Sequence, residues 1–141
     1  MVFRVARGGK LKIMAASGQM RLTILNLKAD MPTVEQAKRR LLESLYAPRG
    51  PSGPVVKIIH GYGSSGTGGS IRTAIRELLS VWQRDGKVIK VVHGENWSIF
   101  DSTSQSLRER YPFLKNEEDL DRGNAGVTFV EFAADTSLIF R

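Results

Sequence analysis

A glycine-rich stretch with the sequence HGYGSSGTGGSI, residues 60–71, follows an apolar run and precedes a helical pattern. Glycine loses more conformational freedom on folding than any other residue, so this composition indicates that main-chain atoms must come close to something. Main-chain N–H groups in such a loop, next to the N-terminus of a helix, can surround one anion. The sequence therefore predicts a phosphate site, whose residues are Gly61, Tyr62, Gly63, Gly66, Gly68, Gly69 and Ser70.

Basic and imidazole side chains border this loop. Arg72 and Arg76 are one turn apart on the following helix and could extend the site along a phosphodiester chain. His60, directly before the loop, would lie beside the phosphate and could donate a hydrogen bond or move a proton. Tyr62 could stack on a base.

Two segments, VVKIIHG and VIKVVHG, resemble each other and end in His60-Gly and His93-Gly. If both are parallel strands, both histidines lie at the carboxyl edge of one sheet, together with Lys28 after the first strand. Ligands of open α/β sheets bind at that edge. We therefore expect His60, Lys28 and two auxiliary residues, His93 and Asn26, to share one site.

Other interpretations of the glycine loop stay open. Gly61-x-Gly63-x-x-Gly66 matches the dinucleotide-binding fingerprint, although a strand and a helix precede it and little chain follows it. The segment from Gly63 to Ser70 has P-loop spacing, but Gly69 occupies the lysine position. A surface loop without a ligand is a further alternative.

Length, charge and cysteine content limit the class of protein. The 141 residues are enough for one domain, and the chain has no cysteine and a formal charge of +7. The first 28 residues carry six basic residues and no acidic one. We predict a basic arm over residues 1–20, either a hairpin or a solvated extension, and a single domain over residues 21–141. No apolar run suits a membrane helix, and we expect a cytoplasmic protein.

Strands and helices alternate along the domain. The predicted strands cover Leu22–Leu27, Val55–Ile59, Val88–Val92 and Val127–Phe132. One helix begins with a Thr33-x-x-Gln36 capping box, and a second helical pattern begins at Ile71. The order predicts an α/β fold: a two-layer sandwich with a mixed four-stranded sheet, both helices on one face and the last strand antiparallel.

Residues 95–122 read as an insertion before the last strand, with a short helix at about residues 103–111. We expect Trp97 and Phe100 to anchor it on the core, and the acidic cluster Glu117–Asp121 to be a solvated loop. The insertion could dock a protein partner, or bring His93 or Glu95 towards the site.

Three segments together resemble one known family. IIHGYGSSGTGGSIRTAIRELL is similar to the HGxG loop and second helix of Smr (small MutS-related) domains, and GNAGVTFVEF resembles their closing GGAGxTxVxL strand. LNLKADMPTVEQA stands where those domains carry LDLHG and a T-x-E-E-A helix start. The resemblance covers Leu22–Phe132. It implies the fold of the C-terminal domain of translation initiation factor 3, binding of DNA or RNA and, in many members, endonuclease cleavage.

The chain departs from that family at LDLH, which is LNLK here, with Asn26 and Lys28. Asparagine cannot act as a general base, and lysine cannot replace a neutral imidazole near pH 7. Binding without cleavage and nuclease activity both stay open. For cleavage, the expected catalytic residues are His60 as general acid/base and Lys28 as the stabilising charge, and a nuclease of this kind could use a divalent cation as its cofactor. No protein metal site is predicted. The alternatives are a protein-interaction module and, less favoured, a dinucleotide-binding enzyme.

Overall fold

A computed structural model describes residues 22–46, 54–62 and 67–133. The predicted arm over residues 1–20, Gly63 and Gly66 lie outside the described residues. Within them, four strands form one mixed sheet in the order β1-β2-β4-β3. Strand β1 pairs with β2 in parallel, and β4 runs antiparallel to both of its neighbours. The strands are β1 Thr23–Asn26, β2 Val55–Ile59, β3 Val88–His93 and β4 Val127–Phe132.

Three α-helices connect and cover the strands: α1 Val34–Tyr46, α2 Thr67–Arg84 and α3 Ser102–Arg110. The predicted capping box starts α1, because Gln36 N–H donates to Thr33 Oγ1 at 3.1 Å and Thr33 N–H donates to Gln36 Oε1 at 2.9 Å. The expected start of the second helix at Ile71 is wrong, since α2 begins one turn earlier. Gly68, Gly69 and Ser70 therefore belong to its first turn rather than to a loop.

Helices α1 and α2 pack on one face of the sheet, as predicted. Their buried side chains recur at helical spacing and meet the strand residues Val56, Ile58 and Val130. The chain thus has the predicted two-layer α/β architecture. The helical contribution to this core is Ala37, Leu41 and Leu45 from α1, and Ile71, Ile75, Leu79 and Trp82 from α2.

The insertion covers the opposite face of the sheet with a second apolar cluster. Trp97 is fully buried and stacks on Phe129, with ring centroids 4.3 Å apart. Leu107 of α3 and Leu114 of the 3₁₀ segment Pro112–Asn116 complete this cluster. Phe100 does not join it: its side chain is 90% exposed, so the expectation that it anchors the insertion is wrong.

The acidic cluster is not a solvated loop, because it encloses a buried lysine of β2. Lys57 Nζ lies 2.5 Å from Glu117 Oε2 and 2.5 Å from Asp119 Oδ2, and 5.7 Å from the centroid of the Phe129 ring. Burial alone would lower the pKa of Lys57, but hydrogen bonds to Asp119 and Glu117 outweigh it and raise that pKa. Glu117 also accepts a hydrogen bond from Trp97 Nε1 at 2.9 Å. The insertion is thus bound to the sheet by charge as well as by apolar contact.

No helix among the described ranges is long and apolar enough to cross a membrane.

Candidate functional site

The carboxyl ends of β1, β2 and β3 meet at one edge of the sheet. Strands β1 and β2 are parallel, and β3 has the same direction because both β2 and β3 are antiparallel to β4. Lys28 follows β1, His60 follows β2 and His93 ends β3, so the structure brings these three predicted residues to the same edge. The N-terminal half of α2 and the start of β4 complete the surroundings.

Asn26 shapes the turn after β1. Its Oδ1 accepts a hydrogen bond from Lys28 N–H at 3.0 Å, an arrangement that asparagine favours in turns. Leu27 N–H donates to Ile59 O at 2.8 Å and keeps this turn beside β2. The Lys28 side chain is exposed, and its ammonium has no hydrogen bond or ion pair within the described part of the chain. Asn26 therefore has a structural contact, whereas Lys28 presents a free cation.

His60 is fully buried, and both of its ring nitrogens are used. Nδ1 lies 2.7 Å from Gly61 O, and Nε2 lies 2.8 Å from Thr128 Oγ1. Because a carbonyl oxygen can only accept, Nδ1 must carry the proton, and Nε2 then accepts from the Thr128 hydroxyl. This geometry presents neither nitrogen to a ligand. A catalytic role for His60 stays a prediction, and such a role would need the ring to be uncovered.

Arg76 continues the same network and is also engaged. Its Nε donates to Thr128 Oγ1 at 3.2 Å, and its terminal nitrogens donate to the two oxygens of Glu95, each at 2.8 Å. One terminal nitrogen lies 3.3 Å from the carbonyl oxygens of Ala125 and Val127. The chain of contacts thus runs from Glu95 through Arg76 and Thr128 to His60. Arg76 links α2 to β4 and to the insertion, and the Glu95 carboxylate already neutralises its guanidinium.

The titrating groups of this network have shifted pKa values. Burial lowers the pKa of His60 to about 4, and the positive charges of Arg76 and Arg72 act in the same direction. The pKa of His93 is lowered chiefly by burial and also by Arg76. Hydrogen bonds from Arg76 lower the pKa of Glu95 to about 2. At neutral pH both histidines are therefore uncharged and Glu95 is a carboxylate.

Two glycines bring the loop after β2 against β4. Gly61 has φ +77°, a conformation that glycine adopts without strain, and its N–H and that of His60 both donate to Gly126 O at 3.0 Å. Gly126 lies directly under the Tyr62 ring, because a Cβ on it would be only 2.8 Å from Tyr62 Cδ1. Tyr62 is 60% exposed. The backbone contact therefore holds an aromatic ring at the surface.

A surface depression of about 560 Å³ lies beside Tyr62. Two cationic side chains line it, Arg72 from α2 and Arg122 from the end of the insertion. Neither guanidinium has a hydrogen bond or ion pair with another residue that the structure describes. Lys28 is close by, since a Cβ on Gly61 would lie 3.5 Å from Lys28 Cδ. The edge thus carries two cations beside the exposed Tyr62 ring and a third next to Gly61.

A longer groove of about 810 Å³ adjoins this depression and shares Arg72 with it. One wall is a face of α2 that includes Arg76 and Glu77, and the other is formed by His93 and Glu95. The half-buried His93 ring faces this groove rather than the Tyr62 depression. Of the predicted auxiliary residues, His93 therefore lies near Arg76 and Glu95, and Asn26 lies near Lys28.

Thr128 and Arg122 also belong to the site, although neither was predicted from the sequence. Thr128 is the threonine of the GNAGVTFVEF segment, which resembles the closing strand of Smr domains. That resemblance could have identified Thr128 as a candidate site residue. Arg122 gave no signal, because its position depends on how the insertion folds. Among the residues described, Glu117, Glu118 and Asp119 are the carboxylates grouped closely enough for a metal ion, and the Lys57 ammonium already lies among them.

Compared with protein-family models, with curated proteins and with solved structures, the chain matches none of them.

Proposed function

We propose that this chain is a Smr-like domain that binds the backbone of DNA or RNA at the carboxyl edge of its sheet. The observation that carries the proposal is a group of three cations, Lys28, Arg72 and Arg122, which lack ion-pair partners among the described residues. Arg72 and Arg122 line the depression beside the exposed Tyr62 ring, and Lys28 lies next to Gly61, the residue before Tyr62. Unpaired cations bind phosphates, and an exposed aromatic ring stacks on bases without regard to sequence.

Two further features support this proposal. Arg72, which lines the depression, lies in the second turn of α2, so the N-terminus of this helix is about one turn away, and its unsatisfied N–H groups and dipole favour an anion. The first 27 residues add five further basic residues and no acidic one, a composition that attracts polyanions at low salt. Both features act on any phosphate chain, so we propose binding that depends little on base sequence.

We propose binding, rather than cleavage, as the activity of the described site. The family resemblance implies cleavage through residues that are Asn26 and Lys28 in this chain. Asn26 Oδ1 is occupied in its turn, and the His60 ring is enclosed by Gly61 and Thr128. Cleavage by His60 and Lys28 stays a prediction, which incubation of labelled DNA and RNA with Mg²⁺ would test.

Replacement of Arg72 by glutamine tests the binding proposal. We expect Arg72→Gln to weaken binding to short end-labelled DNA or RNA by about tenfold at ~0.1 M salt, because one phosphate contact is lost. The slope of log K against log[salt] should become shallower by about 0.7 for a single strand. Fluorescence anisotropy over a salt series measures both quantities.

Arg84→Gln is the matched control. Arg84 has the same charge and lies exposed at the other end of the same helix, far along α2 from the depression. It should change affinity and slope only slightly. Equal effects of the two substitutions would show that net charge, and not this site, controls binding, and would reject the proposal.

A protein-interaction module is the second candidate function, and one observation favours it. Phe100 is 90% exposed and Ile99 is 47% exposed on a turn of the insertion. Hydrogen bonds fix this turn, from Ile99 N–H to Asp121 Oδ1 at 3.0 Å and from Phe100 N–H to Ser98 Oγ at 3.1 Å. A fixed turn that presents two apolar side chains suits a protein contact. For this function, Phe100→Ser should abolish association with the partner, and nucleic acid should not bind at all.

A further inference from the structure

The Arg76–Glu95 pair at the edge of the site has the geometry of a guanidinium bound to a phosphate. Two terminal nitrogens of Arg76 reach two oxygens of Glu95, both at 2.8 Å. Arginine binds carboxylates and phosphates through the same two parallel hydrogen bonds. The carboxylate of Glu95 therefore occupies the position on Arg76 that one phosphate of a ligand would take.

We propose that Glu95 is a specificity-determining residue, an internal competitor that keeps single phosphate groups off Arg76 and yields only to a chain of phosphates. This inference rests on the proposed function, since it concerns the same nucleic-acid site. Glu95, the first residue of the insertion, thus determines which anions the site accepts.

Arg76 is the fixed member of the pair. Besides Glu95 it contacts Thr128 Oγ1 and the carbonyl oxygens of Ala125 and Val127, and its side chain is only 15% exposed. These contacts would hold the guanidinium in place if the carboxylate left. A ligand would therefore find a positioned cation that needs little reorganisation.

Glu95 is the member that can move. Its side chain is 40% exposed, and it belongs to the short 3₁₀ segment Gly94–Asn96 at the start of the insertion. Its side-chain hydrogen bonds with other residues that the structure describes are those with Arg76. A rotation of this side chain into the adjoining groove would expose Arg76 without disturbing the sheet.

The spacing of the two arginines identifies the class of ligand that could displace Glu95. Arg72 lies one turn before Arg76 on α2, about 6 Å along the helix axis, and lines the same groove. A nucleic-acid strand held by Arg72 presents its next phosphate to Arg76 at a high effective concentration. A mononucleotide or inorganic phosphate held by Arg72 has no second phosphodiester to present, so Glu95 remains in place.

The experiment compares Glu95→Gln with Glu77→Gln. Glutamine at position 95 keeps the shape of the side chain and removes the charge that competes with phosphate. We expect Glu95→Gln to bind short end-labelled single-stranded DNA or RNA about tenfold more tightly than the wild-type chain at ~0.1 M salt. The salt slope should stay the same, because the strand contacts Arg76 in both proteins and neutralises the same number of phosphates. Inorganic phosphate, followed by thermal shift, should stabilise this variant and not the wild type.

Glu77→Gln is the control, because Glu77 lines the same groove and its loss changes net charge equally, but it forms no ion pair with any residue that the structure describes. It should change the affinity for the strand only slightly and give no stabilisation by inorganic phosphate, because it does not occupy Arg76. Equal gains by both variants, or weaker binding by Glu95→Gln, would overturn the inference while leaving the binding proposal intact. If neither the wild type nor Glu95→Gln binds nucleic acid, the proposed function fails and the inference fails with it.

Discussion

Replacement of Lys57 by methionine is expected to lower the free energy of unfolding by about 3–5 kcal/mol, because it leaves buried carboxylates without their cation. The Lys57 ammonium is 2.5 Å from an oxygen of Glu117 and 2.5 Å from one of Asp119, and the Glu117 side chain is only 5% exposed. Methionine fills a similar volume, so the loss would reflect charge rather than a cavity. Urea unfolding at pH 7, followed by circular dichroism, measures it.

Two further variants separate the buried contact from general effects of charge. Lys115→Met removes an exposed lysine of the same insertion that has no ion pair among the residues described, and we expect a change within about 0.5 kcal/mol. Adding Glu117→Gln to Lys57→Met should recover part of the loss, because one uncompensated charge disappears. A cost below about 1 kcal/mol for Lys57→Met would contradict the buried position of this lysine.

Stability is expected to fall as the pH is lowered from 7 to 5, with His60 as the main cause. The pKa of His60 is about 4 in the folded chain against 6.5 when unfolded. Between these two values the unfolded state binds more protons, so acidification favours unfolding; the contribution is fully present above pH 6.5. At pH 5 the loss from this residue is about 2 kcal/mol, and it approaches about 3 kcal/mol near pH 4.

Urea unfolding of the wild type and of His60→Gln at pH 7 and pH 5 tests this expectation. The variant cannot titrate at this position, so its loss between the two pH values should be smaller by about 2 kcal/mol. His93→Gln is the matched control, because His93 is the other histidine of the chain. Its pKa is also lowered, and we expect this substitution to reduce the loss between pH 7 and pH 5 by less than His60→Gln does. An identical pH dependence in the wild type and His60→Gln would show that the His60 ring is not enclosed as described.

The strands and the packing faces of the helices could be predicted because apolar spacing determines them. The bounds of β2 and β4 agree with the apolar runs. Ala37, Leu41 and Leu45, which recur in the sequence at helical spacing, are the buried residues of α1. The start of α2 was predicted too late, since Gly68 and Gly69 are poor helix formers. Their helical conformation depends on the rest of α2, so it could not be predicted from the local composition.

The site was predicted in position but not in accessibility. Lys28, His60 and His93 reach one edge because strand direction places them there. Sequence could not show that the His60 ring turns inward to Thr128, 68 positions away. It also could not distinguish Arg72 from Arg76, which lie on the same side of α2, because only the folded insertion brings Glu95 to one of them.

The order of strands in the sheet affects when the chain can fold during synthesis. Strand β4 is the last of the four in sequence, yet it lies between β2 and β3 and joins them. While β4 is still inside the ribosome, the β1–β2 pair and β3 of a nascent chain therefore cannot be joined into one sheet. Closure of the sheet must be one late event, and until then the apolar side chains of β3 have no partner strand and are open to aggregation.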